Sequence, residues 1–214
     1  MKIVCVLFPN LTQLDLTGPF EVFHRIPGAE VQLAAKTLEP VRSEGGLTIL
    51  PSTTFDEVRA ADLLFVPGGA GVNEAMLDDE LLAFLRRVQP RWYGSACTGA
   101  LVLGAAGLLD GCRAATHWAS MPFLEAFGAI ATHERVVVDG NRFTGGGVTA
   151  GIDIALRIVR ELFGARASDE IALAIEYGPM RKDVREPVLA RLSPMLERRR
   201  LAVERAAEKL RSSG

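Results

Sequence analysis

Apolar runs of strand length alternate with stretches of helical periodicity along the first part of the chain. Residues 3–8 form a continuous apolar run closed by Pro9-Asn10, residues 14–25 have helical spacing, and residues 30–35 and 63–66 are again strand-like. This alternation predicts βαβ units and a mainly parallel central sheet with helices on both faces, an α/β fold. After Val66, Pro67-Gly68-Gly69-Ala70-Gly71 cannot continue a strand. Residues 73–88 carry Leu77, Leu81, Leu82, Phe84 and Leu85 at near-helical spacing, so this stretch is expected as a helix laid on the sheet.

Further along, Trp92-Tyr93-Gly94-Ser95-Ala96 is a short strand candidate, followed at once by an apolar helix over 98–109 that closes on Asp110-Gly111. Val136-Val137-Val138 and Arg142-Phe143-Thr144 flank Asp139-Gly140-Asn141, a hairpin signal because Gly tolerates the positive φ of a tight turn. Gly145-Gly146-Gly147 leads into a long helix ending near Phe163-Gly164. The tail over 188–210 is helical by periodicity, with Arg198, Arg199, Arg200 and Arg205 among Glu197, Glu204 and Glu208, the pattern of a solvated face. With no linker-like break in 214 residues, one domain spanning 1–214 is expected, with a helical C-terminal tail from about 185.

Composition narrows the function. Hydrophobic residues make up 49% and charged residues 23% of the chain, the balance of a folded globule. A formal net charge of -2 gives no electrostatic footprint for nucleic acid or an anionic membrane, so neither is expected as a partner. The first apolar run is too short for a secretory signal and no segment is a membrane span, which predicts a cytoplasmic protein. Three cysteines, an odd number without metal-ligand spacing, suit a reducing compartment.

Among those cysteines, Cys97 falls where a strand meets a helix N-terminus, flanked by the small residues Ser95, Ala96, Thr98 and Gly99. That setting is analogous to the nucleophile elbow of hydrolases, and a helix N-terminus favours the thiolate. A buried, inert cysteine fits the local pattern equally well. Cys5 reads as core and Cys112 as a passive thiol. Asp15, between Leu14 and Leu16 and just before Thr17-Gly18-Pro19, reads either as a capping carboxylate or as a site residue. In an open parallel sheet, loops after the strands share one edge, which could gather Asp15, Gly68-Gly69 and Cys97. The Pro67 loop lacks the spacing of a dinucleotide fingerprint and the Lys of a phosphate loop, but its amides could stabilise an anion. His24, His117 and His133 form no metal-binding spacing and read as structural.

Taken together, Asp15-Leu16-Thr17-Gly18-Pro19, Pro67-Gly68-Gly69, Ala96-Cys97-Thr98-Gly99, Ala115-Thr116-His117-Trp118 and Thr144-Gly145-Gly146-Gly147 resemble the ThiJ/PfpI superfamily, over about residues 1–177. Within it the chain is most similar to the isocyanide hydratase group, in which an Asp shares the site with a Cys-Thr-Gly elbow. The resemblance implies a flavodoxin-like domain of the class I glutamine amidotransferase type, a homodimer, no cofactor or metal, and hydration of an organic isocyanide to an N-substituted formamide. It further implies Cys97 as nucleophile, Asp15 as proton carrier and Thr98 as their partner, with its amide and that of Gly69 holding developing charge and its hydroxyl reaching Asp15. Trp118 and Val148 are expected in the pocket wall. A glyoxalase- or deglycase-like activity on α-oxoaldehydes and a non-catalytic ligand or redox sensor are the alternatives. Peptidase members carry His after the nucleophile, where Thr98 stands here, and regulators continue into a paired DNA-binding region for which this chain is expected to be too short.

Overall fold

The computed structural model describes residues 1–178 together with Ala190, Ser193, Pro194 and Glu197. The chain divides into two compact units, Met1–Leu162 and Phe163–Gly214. The first unit contains β1 (Lys2–Val6), α1 (Gln13–Phe23), β2 (Glu30–Ala35), β3 (Val41–Arg42), β4 (Thr48–Ile49), β5 (Thr53–Thr54) and β6 (Leu63–Val66). It continues through α2 (Val72–Ala75), α3 (Asp79–Val88), β7 (Trp92–Ser95), α4 (Gly99–Ala105), β8 (Arg113–Ala114), a 3₁₀ segment (Trp118–Phe127), β9 (Ile130–Ala131), β10 (Val136–Asp139), β11 (Arg142–Gly145) and all but the last residue of α5 (Ala150–Phe163). In the second unit the described residues form α6 (Ala165–Ala174), which buries Ser168 and Ile171. The expected tail from about 185 lies, apart from the four residues named, outside the described residues.

Seven strands form the central sheet in the order β10-β11-β7-β6-β1-β2-β5. All neighbours are parallel except the β10–β11 hairpin at one edge, with Asp139 opposite Arg142 and Gly140 at φ +55 in the turn. This is the mainly parallel α/β sheet that the alternating pattern predicted, in the flavodoxin-like form that the resemblance implied. Helices cover both faces, so the middle of the sheet is almost wholly apolar: β6 is wholly buried, and Val4, Cys5 and Val6 of β1 are fully enclosed. The chain runs from β1 outward to β2 and β5 and then returns to β6 on the other side of β1. That reversal opens a crevice beyond the carboxyl ends of β1 and β6.

The single helix expected over 73–88 is in fact two. α2 stops at Ala75, and Asp78 adopts an extended conformation and caps α3 by accepting from the amides of Glu80 and Leu81, both at 3.2 Å. A side-chain oxygen that satisfies two free amides at a helix start competes directly with continuing the preceding turn. Leu77, expected on the core face, is consequently 84% exposed, while Leu81, Leu82, Phe84, Leu85 and Val88 pack inward.

Candidate active site

The strand-to-helix turn after β7 is a tight elbow. Ala96 N donates to Val66 O at 3.2 Å, tying the turn to the end of β6. Cys97 then takes φ +53, the left-handed region that costs a residue with a Cβ about 1–2 kcal/mol. Surrounding bonds hold it there: Cys97 N donates to Gly146 O at 2.9 Å and Cys97 O accepts from Thr116 Oγ1 at 2.8 Å. Ala115 N in turn donates to Thr144 Oγ1 at 2.9 Å, and Gly147 lies against the His117 ring. The three sequence segments around Cys97, Thr116 and Gly146 therefore meet at one point. α4 can begin at Gly99 because a Cβ there would stand 2.3 Å from Val66 O, so only glycine lets the helix approach β6 this closely.

Asp15 comes to the same point from the first turn of α1 and is completely buried. Its Oδ2 accepts from Gly68 N at 3.2 Å, while Oδ1 makes no hydrogen bond of good geometry. Burial pushes the Asp15 carboxyl up to about 6, offset in part by its interactions with the Cys97 thiol and the Gly68 amide, and raised further by the nearby Glu44 charge. Cys97, 6% exposed, is likewise pushed up to about 11, first by burial and then by the Asp15 charge, against the lowering influence of the Thr98 amide and hydroxyl. Both causes act against the helix-stabilised thiolate that the sequence suggests: burial and the neighbouring Asp15 carboxylate each disfavour the charged sulfur, and α4 has only 7 residues. Above pH about 6 the resting pair is an Asp15 carboxylate and a neutral Cys97 thiol.

The Gly68-Gly69 loop is fixed from two sides. Thr12 N donates to Gly68 O at 2.9 Å, and Gly69 N donates to Thr98 Oγ1 at 3.0 Å, with Thr98 Oγ1 3.3 Å from Gly69 O. The Thr98 hydroxyl is thus joined to Gly69 and not, as expected, to Asp15, and the Gly69 amide is already donating. The Thr98 amide lies beside the Cys97 sulfur. Glu44, unnoticed in the sequence, accepts from Thr12 Oγ1 at 2.5 Å and from Ala70 N at 3.0 Å, so it clamps the loops that carry Asp15 and Gly69. Nothing local marks it, since its partners lie 32 and 26 residues away.

The remaining candidates lie farther out. Trp118 is 78% exposed and tilts against His117, and Val148 is half-buried in the turn before α5. His117 Nδ1 accepts from Ala119 N, His24 stacks on Phe20, and His133 is exposed; none acts on the Cys97 thiol. Cys5 is enclosed in β1 with its thiol pushed up to about 12 by burial, and Cys112 Sγ sits 3.5 Å from Asp110 O. Among the described residues no group of three or more His, Cys, Asp or Glu could hold a metal ion, and no helix is long and apolar enough to cross a membrane.

An α/β sheet with a cysteine on a strained elbow and a buried carboxyl facing it defines the class, and residues 1–161 match the DJ-1/PfpI family. The chain belongs to that family. It is 46% identical over 223 residues to isonitrile hydratase of Pseudomonas putida, covering 98% of both chains. It is 29% identical over 187 residues to the HTH-type transcriptional regulator GbdR of Pseudomonas aeruginosa, spanning 83% of this chain but 51% of the regulator. The crystal structure of a ThiJ/PfpI family protein from Pseudomonas syringae superposes with a TM-score of 0.81 at 38% identity, covering 90% of this chain and 86% of the other.

Proposed function

We propose that the protein is an isocyanide hydratase that converts an organic isocyanide and water to an N-substituted formamide, with Cys97 as nucleophile and Asp15 as proton carrier. The observation supporting this most directly is the buried thiol–carboxyl pair, in a chain 46% identical along nearly its whole length to an isonitrile hydratase. An isocyanide carbon becomes electrophilic as it is protonated, so the reaction needs one nucleophile and one group that relays a proton. As the Cys97 sulfur attacks the terminal carbon, its S–H proton passes to Asp15 and from there to that carbon, giving the thioimidate Cys97–S–CH=N–R. Asp15 then takes a proton from water as the oxygen adds to the same carbon. The nitrogen gains a proton, the C–S bond breaks, the sulfur is reprotonated and R–NH–CHO leaves. No redox step or cofactor enters this balance.

A raised thiol pKa suits the mechanism. The thiol stays protonated until substrate arrives, and Asp15, with a pKa of about 6, is ionised and ready to accept that proton at neutral pH. The amide of Thr98 stabilises the sulfur as it gains negative charge during attack and again as it leaves.

The test follows loss of cyclohexyl isocyanide and formation of N-cyclohexylformamide by mass spectrometry, in the wild type, Cys97→Ala and Cys112→Ser. Turnover is expected in the wild type and Cys112→Ser and not in Cys97→Ala. Consumption of glyoxal by a wild type inert towards isocyanides would transfer the assignment to α-oxoaldehydes.

A further inference from the structure

Thr12 stands at the N-cap of α1, the helix whose first turn carries Asp15, where a hydroxyl ordinarily accepts from the first free amides of the helix. Here the side chain makes no such bond. Its Oγ1 donates instead to Glu44 Oε1 at 2.5 Å, across 32 residues of chain. The second oxygen of the same carboxylate, Oε2, accepts from Ala70 N at 3.0 Å. Glu44 comes from the turn between β3 and β4, and its backbone joins the same layer, with Glu44 N donating to Leu11 O at 3.0 Å. We propose that Glu44 is a positioning residue of the hydratase reaction, holding Asp15 and the Gly68 amide in place against Cys97 by gripping the start of α1 and the 68–71 loop at once. The proposal rests on the hydratase reading and adds to it a residue outside the reacting corner.

Asp15 has few ties of its own. Its Oδ2 takes one bond, from Gly68 N at 3.2 Å, and Oδ1 none of good geometry, so the aim of the carboxyl depends on the two backbone segments that meet there. Those segments interlock: Thr12 N donates to Gly68 O at 2.9 Å and Gly71 N to Asn10 O at 3.0 Å. They also approach so closely that a Cβ on Gly71 would stand 1.9 Å from Pro9 O. A carboxylate that accepts from both segments adds two charge-assisted bonds to this junction, the stronger kind of hydrogen bond. Slippage there would displace Asp15 from the thiol, and a misplacement of about 1 Å can cost about 10²-fold in rate. Glu44 is exposed, so solvent screens its charge at Asp15 and the two hydrogen bonds are its means of action.

The test measures kcat and KM for cyclohexyl isocyanide in the wild type, Glu44→Ala, Glu44→Gln, Thr12→Val and the double variant Glu44→Ala/Thr12→Val. Glu44→Ala should lose at least about tenfold in kcat, with KM changed less than about threefold. Glu44→Gln should stay within about threefold of the wild type, because its amide oxygen can accept from Ala70 N while its nitrogen donates to the Thr12 hydroxyl. Thr12→Val should lower kcat at least about threefold, and the double variant should be within about twofold of Glu44→Ala, since both changes break the same contact. A smaller loss in Glu44→Ala, a Glu44→Gln as slow as Glu44→Ala, or losses that multiply in the double variant would overturn the positioning role while leaving the hydratase reading intact. A wild type inert towards the isocyanide overturns both, and Thr12→Val keeps the test decisive if Glu44→Ala does not fold.

Discussion

Two buried groups, Asp15 and Cys97, are each pushed away from the charged form, and the chemistry follows from which gives way first. Asp15 has to be ionised to take the thiol proton, so log kcat/KM should fall as pH drops below about 6 and stay level through neutral pH. A profile that instead rises towards acid would mean that Asp15 acts from its protonated form, and would reverse its role in the first step. The same shift sets a stability effect. The folded pKa of about 6 lies above the ordinary 3.8, so the folded state binds this proton more tightly than the unfolded chain does. The stability linked to that proton is present below pH 3.8 and is lost as pH rises through 6. Asp15→Asn removes the buried charge, and should be more stable than the wild type at pH 7 by on the order of 1–3 kcal/mol with little gain at pH 3.5, read by urea unfolding at both pH values. Its turnover should fall about 10²–10⁴-fold. The positions of these residues were legible in the sequence because a Cys among small residues at a strand end, and an Asp in the first turn after an apolar run, are local patterns. Their protonation was not, because burial depends on segments far apart in the chain, and Glu44 was missed for the same reason.

At the scale of elements, the site depends on how closely the Gly68 loop meets the elbow. A Cβ on Gly68 would stand 2.6 Å from Thr98 N and 2.8 Å from Cys97 Cβ, so Gly68→Ala must displace the loop or the nucleophile. We expect a loss of kcat/KM of at least about tenfold with a destabilisation of about 1–3 kcal/mol, from turnover and urea unfolding together. Gly45→Ala, where a Cβ would meet nothing within 4 Å, should behave as the wild type in both. Normal activity in Gly68→Ala would show that the close approach is not needed. The strands, the hairpin and the elbow helix could be anticipated because apolar runs, the Asp139-Gly140 pair and the residue spacing record them directly. The break before α3 was hidden by Leu77, which keeps the apolar period going on a residue that the Asp78 cap turns out to solvent. Trp118, expected in the pocket wall, is 78% exposed, and Phe123 and Phe127 of the same 3₁₀ segment line a cavity that also includes Thr98.

For the molecule as a whole, the architecture alone does not choose the activity, since chains of similar sequence include an isonitrile hydratase and a transcriptional regulator. Asp15, Glu44, Gly68, Cys97 and Thr98 all lie in the unit Met1–Leu162, so the proposed chemistry is carried by that unit. The resemblance also implies a homodimer, and that is open to direct measurement. Light scattering should give twice the 23.1 kDa mass of the chain. If the second subunit helps to shape the site, specific activity should fall on dilution at the concentration where the mass drops to one chain, because the site would then depend on association. Constant specific activity through that transition would place the whole catalytic site within a single chain. It would assign Cys97, Asp15 and the neighbouring cavity to one independently acting subunit.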